Sequence, residues 1–215
     1  GVKDRHFYYQ GTQIGTQTLL EGEKSIVDFN GKLCIFPDKL YYDYLPDPDT
    51  GTVTAALKSM EKTLSLSGVT FYTSHNTLTG AYTAYLSKSG ADFTQFQPGD
   101  SLIISGCTKT QNNTHAIQGR KDYAADTDII SAVVSASEIG RLDLLLFNKY
   151  GEYAAFSNTT ESGTVTIRLS IPDMNHVCVH NNRLWGTAAN GEYIYASKLG
   201  DCLNFNSFQG LEDDS

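Results

Sequence analysis

No stretch of this chain approaches the roughly 20 consecutive apolar residues that a membrane-crossing helix needs. The first residues also lack the charged-then-apolar pattern of a secretory signal peptide. Cysteine is sparse: Cys34, Cys107, Cys178 and Cys202 are widely separated and form no CxxC pair. That spacing excludes a dense disulfide scaffold and makes a reducing compartment the simpler expectation. Basic residues are outnumbered, 16 Lys and Arg against 24 Asp and Glu, for a net charge of −8. A surface of that sign repels phosphate backbones at long range, which disfavours general nucleic-acid binding. Also missing are GxSxG, HExxH, a Gly-rich phosphate loop and a dinucleotide fingerprint. Methionine, at two residues, is scarce as well.

What the chain has instead is aromatic and β-branched material. Its 13 Tyr and 10 Phe, with many Thr and Ser, suit pleated surfaces better than helices. Hydrophobic residues make up 40 % and charged residues 19 %, enough for a packed core and against disorder. The acidity gathers in Asp43, Asp47 and Asp49 and in Glu212, Asp213 and Asp214, runs that read as solvated surface. Two Asn-x-Thr sequons, at Asn112 and Asn158, are expected by chance in such a composition. Beginning at Gly1-Val2 without Met and stopping at Asp214-Ser215, the chain reads as a portion of a longer protein, with Gly1 left by a cleaved tag.

Short strands separated by turn chemistry account for most of its length. Ser25–Phe29 and Lys32–Phe36 flank Asn30-Gly31, the strongest short hairpin signal, because both central residues of a type I′ turn need positive φ. Leu40–Tyr44 follows, and the breaker-rich stretch from Leu45 to Gly51 reads as a boundary. Thr54–Met60 is the one segment expected to form a helical turn. Further strands are expected at Thr63–Ser67, Thr70–Thr73, Tyr82–Ser87, Ser101–Ser105, Ala116–Gly119, Ile129–Ser135, Leu142–Phe147, Tyr153–Phe156 and Val165–Ile171. The run Thr164–Ile171 alternates apolar and polar residues almost perfectly, the mark of a half-buried strand. Gly99-Asp100 and Gly106 read as barrel corners.

One internal echo organises the rest. Ile26–Ile35 aligns with Val177–Gly186, 151 positions later: strand, Asn-Gly or Asn-Asn turn, base, Leu, strand. Each copy leads into an aromatic strand, Leu40–Asp43 or Tyr193–Ala196. Recurrent hairpin-plus-strand units are how propeller blades look in sequence, but blades normally recur every ~40–50 residues. The expectation is therefore an all-β chain with a central β-barrel or sandwich of five to seven strands inserted between propeller-blade-like hairpins. The segments are 1–53 (blade-like), 54–173 (barrel or sandwich) and 174–215 (blade-like).

Asn181-Asn182-Arg183-Leu184-Trp185-Gly186, then Tyr193 to Asp201, then Asn204 to Phe208 resembles a signature of tailed-bacteriophage structural proteins that usually runs NNRLW…IYASKLGDPxNFxxF. Phe96 to Cys107, Asn112-Asn113 and Thr164 to Met174 resemble the β-barrel module that precedes it. The likeness covers about half of the chain well, and Cys202 stands where the pattern has proline. It implies a non-enzymatic tail, hub or connector component with no cofactor, working through contacts with other phage subunits in a homo- or hetero-oligomer. Neither nucleic acid nor membrane would be a partner, and the location would be the virion after synthesis in the bacterial cytoplasm.

Candidate binding residues are Arg183, Trp185, Tyr193 and Tyr195. Arg183 and Trp185 alternate with Leu184, so they share a face and are placed for a cation–π contact. Structural anchoring is the competing role for each. His176, Cys178 and His180 alternate with Val177 and Val179, and their i, i+2 spacing of ~6.5–7 Å would let them share a metal with a fourth ligand. The competing reading has them facing solvent. His6, His75 and His115 are isolated, and Glu152 and Glu161 give no reason to be a catalytic pair. The alternative function is a carbohydrate- or host-surface-binding module of a phage adhesin, using Tyr41, Tyr42, Tyr72, Tyr82 and Tyr85. A depolymerising enzyme is the third reading, and it requires convergent carboxylates in a cleft.

Overall fold

A computed structural model describes residues 1–114, 125–188 and 190–205. The expected strand at Ala116–Gly119, His115, the Asn206–Phe208 end of the signature and the acidic Glu212–Asp214 lie outside them. Among the described residues the chain is all-β: the single helical element is a 3-10 turn at Thr110–Asn112. No helix there is long and apolar enough to cross a membrane. The chain divides into two compact units, one built from 1–61 and 171–205, the other holding 62–170.

The first unit consists of small antiparallel meanders. β1 (Val2–Lys3), β2 (His6–Tyr9) and β3 (Thr12–Gln13) form one sheet. β4 (Ser25–Phe29), β5 (Lys32–Phe36), β6 (Leu40–Asp43) and β7 (Lys58–Ser59) form a second. β13 (Met174–His180), β14 (Arg183–Ala188) and β15 (Ile194–Ala196) form a third. Both hairpins of the internal echo close through two-residue turns with positive φ at each position, 48° and 87° at Asn30-Gly31 and 48° and 54° at Asn181-Asn182. The same geometry recurs at Asp4-Arg5 and Gln10-Gly11, where the residue types announce it less clearly.

Thr54–Met60 is not helical. Its last turn is captured by a sheet edge, with β7 pairing Lys58 to Tyr41 and Ser59 to Leu40, and the Met60 amide donates to the Lys39 carbonyl. Leu57 and Met60 are buried in two different apolar clusters, so their helix-like spacing serves two cores instead of one helix face.

The second unit is a closed barrel of five strands, in the order β10-β11-β9-β8-β12. These are β8 (Lys62–His75), β9 (Tyr82–Asp92), β10 (Ser101–Ser105), β11 (Ser131–Phe147) and β12 (Thr159–Leu169). Closure removes the exposed edges that an open sheet would present. Two pairs of expected strands are each one long strand, β8 and β11, which carry glycines at positive φ (Gly68, Gly140) where the chain bends. Inward residues such as Phe71, Leu86 and Leu142 share one cross-strand row and are fully buried. Tyr153–Phe156 is not a strand. Gly151 turns the chain, only Tyr153 bridges to Phe147, and Phe156 drops into the core against Phe71 with an edge-on ring contact at 4.9 Å.

The corner glycine Gly106 sits at φ +83° with no room for a side chain: a Cβ there would lie 2.5 Å from the Thr164 carbonyl oxygen. Asp100 accepts the Gln97 amide at 2.9 Å and pairs with Lys62 at 2.9 Å, fixing the other corner.

Candidate interaction faces

The outward face of the third sheet follows directly from strand register, because directly paired residues of an antiparallel ladder point to the same side. Cys178 pairs with Trp185 and Trp185 with Ala196, His180 pairs with Arg183, and Thr187 pairs with Ile194. Two groups singled out separately in the sequence therefore lie on one surface. On that surface His176, Cys178 and His180 are exposed, Arg183 and Trp185 are half-buried, and Ile194 is 74 % exposed. Arg183 Nη1 donates to the Ser197 carbonyl at 2.9 Å, and Trp185 Nε1 donates to the His180 carbonyl at 3.1 Å. These bonds hold both large side chains along the sheet.

Tyr195 belongs to the opposite side. It pairs with Gly186 and packs on the core of Phe29, Cys34, Phe36, Met60, Met174 and Leu184. Tyr193 is exposed, with its ring centroid 6.3 Å from that of Tyr195. The four expected binding residues thus divide between two faces. Among the described residues, no group of three or more His, Cys, Asp or Glu is arranged to hold a metal ion.

A second surface lies at one end of the barrel. Tyr82 and Tyr153 stack at 4.2 Å and 10°, Phe147 lies 5.7 Å from Tyr153, and His75 meets both tyrosines edge-on at 6.4 Å. His75, Phe147, Gly151, Glu152 and Tyr153 line an open depression of about 540 Å³. Burial raises the Tyr82 phenol, whose hydroxyl donates to the Ala154 carbonyl at 2.8 Å. Asn148 shapes this end: its amide oxygen accepts the Tyr150 and Glu152 amides, and its nitrogen donates to the Glu152 carboxylate. His75, read as isolated in sequence, is therefore part of an aromatic cluster. No local pattern could show it, since its neighbours come from β9 and from the turn after β11.

Farther along the barrel wall, Tyr72 and Tyr85 stack at 4.9 Å, and the Arg141 guanidinium lies 4.1 Å over Tyr85 while chelating Asp143. Tyr42 is buried and Tyr41 packs on a core, so these two are not available as a platform.

Glu161 is nearly inaccessible, and its carboxylate accepts the Thr108 amide at 2.8 Å and the Lys109 amide at 3.0 Å. Burial opposes its ionisation, but these donors prevail and hold the carboxyl below its ordinary value. The nearby Cys107 thiol is pushed up to about 12 by burial and by that negative charge. Glu161 is a loop anchor, and the two sequon asparagines differ in exposure, Asn112 being buried and Asn158 exposed. Asn112 is buried with its amide bonded to Ser157, and Asn158 is bonded through both amide atoms to the Thr73 backbone.

No family model matches this chain, and neither do the curated proteins or the solved structures.

Proposed function

We propose that this chain is a non-catalytic structural subunit of a tailed-phage particle, of the tail, hub or connector kind, and that it acts through contacts with other subunits. The observation that carries the reading is the outward face of β13–β15. Trp185, Arg183 and two histidines lie there beside Ile194, whose apolar side chain is mostly in water. Trp, Tyr and Arg concentrate in the energetically dominant parts of protein interfaces, and clustered exposed apolar side chains mark such surfaces. The resemblance of segments within residues 181–208 to the phage signature points the same way. The three small meanders are read as incomplete propeller blades, whose faces would be completed by further blades or subunits.

Sedimentation and mass photometry on the full chain test this. A discrete oligomer that dissociates on Ile194→Lys is expected. A monomer at every accessible concentration, from a gene lying in a polysaccharide-utilisation cluster and not among portal, terminase or tape-measure genes, would remove the proposal.

The depression beside Tyr153 favours a second reading, a carbohydrate-binding module of an adhesin. It combines an exposed aromatic ring with a carboxylate and an imidazole, the groups that stack on and hydrogen-bond a sugar. A glycan array with the wild-type chain and Tyr153→Ala separates the two: binding lost in the variant supports the adhesin, and a blank array removes it.

A further inference from the structure

Four cysteines scattered along the sequence carry no pairing information, but the fold brings two of them together. Cys34, on β5, and Cys202, in the turn after β15, come from the two chain segments that make up the first unit. Their sulfurs lie 3.5 Å apart although 168 positions separate them. Both side chains are buried, among Phe29, Phe36, Met60 and Leu184. The other two thiols are differently placed. Cys178 is exposed on the outward face of β13, and Cys107 lies buried in the barrel.

We propose that Cys34 and Cys202 form a disulfide site, a covalent clasp that joins the two segments of the first unit once the protein meets an oxidising thiol–disulfide pool. A disulfide has its sulfurs about 2.05 Å apart, so closure from 3.5 Å needs roughly 1.5 Å of approach. The surroundings also favour reaction at one sulfur. The Cys34 thiol donates its hydrogen bond to Cys202, which lowers the Cys202 thiol, while the same bond and burial raise Cys34. Lys32 adds a positive charge that favours the thiolate at both positions.

The oxidant is a small-molecule disulfide such as oxidised glutathione. The Cys202 thiolate attacks one of its sulfurs and expels one glutathione thiolate, leaving a mixed disulfide. Cys34, giving its proton to solvent or to the released thiolate, then attacks the Cys202 sulfur and expels the second glutathione. Two protein thiols become one disulfide, and one glutathione disulfide becomes two glutathiones. Because the sulfurs are buried, the first attack occurs during folding or a local opening of the turn at 201–203. The chain can therefore be assembled as a dithiol and locked afterwards. This inference does not depend on the virion reading.

The test uses the full chain with Cys178→Ser, which removes the exposed thiol and with it interchain links and stable glutathione adducts. The protein is refolded from denaturant in a mixture of reduced and oxidised glutathione, denatured again without reductant, alkylated, and analysed by intact mass and peptide mapping. The expected result is a single alkyl label, on Cys107, with the Cys34 and Cys202 peptides joined. Dithiothreitol should restore three labels, and the oxidised form should melt about 5 °C or more above the reduced one. Three labels on the refolded, folded protein, or a link that includes Cys107, would overturn the proposal. Mapping wild-type protein in parallel keeps the result readable if the serine variant does not fold.

Discussion

The Asn30 side-chain amide donates to the Asn182 side-chain oxygen at 3.1 Å, so the turns of the two matching hairpins touch although 152 positions separate these residues. Asn30 also reaches the Gly200 carbonyl at 3.4 Å, and Ser25 Oγ donates to the Asn175 carbonyl at 2.8 Å. The internal echo is therefore a packed pair within one unit, with Val27, Phe29 and Cys34 of one copy sharing a core with Val177 and Leu184 of the other.

Replacing Asn30 should test both parts of that relationship. Asn30→Gly keeps the positive φ and loses only the two exposed side-chain bonds, so a cost of about 0.5–1 kcal/mol is expected. Asn30→Val adds a β-branched side chain at φ 48° and should cost about 2 kcal/mol. Urea titration distinguishes them, and equal losses would mean that the turn conformation contributes little.

Gly106 and Gly99 form a natural control pair. Both have positive φ, but only Gly106 faces a carbonyl at contact distance, while Gly99 opens into empty space. Gly106→Ala should therefore destabilise the chain by about 2 kcal/mol or more, and Gly99→Ala by about 1 kcal/mol. Thermal melts of the two variants read the difference directly.

The barrel should lose stability in acid through Glu161. Its carboxyl is lowered from an ordinary value of 4.5 in the fold, so its contribution is full above that value and is lost as pH falls through the lower, folded one. In Glu161→Gln that part of the acid sensitivity should disappear, with a pH-independent cost of about 1–3 kcal/mol from weakened bonds to the Thr108 and Lys109 amides. Urea midpoints measured from neutral pH down to pH 3 check the sign, and an unchanged pH slope in the variant would contradict it.

Lys24 and Asp38 form an ion pair at 2.8 Å with side chains only 7 % and 3 % exposed, and Asp38 also accepts the Leu20 amide. Breaking such a pair strands a buried charge. Lys24→Met should therefore cost about 3 kcal/mol, while Lys24→Met with Asp38→Asn should recover part of that loss. A double variant no better than the single one would show that packing, and not charge, dominates.

Ile194→Lys should leave the fold within about 0.5 kcal/mol of wild type, because the side chain is already mostly in water. If the face it occupies is an assembly surface, the same change should abolish the oligomer seen by sedimentation. Loss of both stability and assembly would point to misfolding and not to an interface.

The parts of this fold that could be read from residues in a row are those governed by neighbours in a row. Positive φ at Asn30-Gly31 and Asn181-Asn182 follows from side chains that tolerate it, and alternation over Thr164–Ile171 follows from a pleat with one buried side. The strand at Ser101–Ser105 and the corner at Gly106 are local in the same sense. What no window of residues carries is which distant elements meet. Closure of five strands into a barrel, capture of Lys58–Ser59 by a sheet edge, the ring cluster around Tyr153 and the meeting of Cys34 with Cys202 all rest on contacts between remote positions. Local chemistry sets dihedral angles and which side of a strand is apolar; the free energy of packing the whole chain selects the partners.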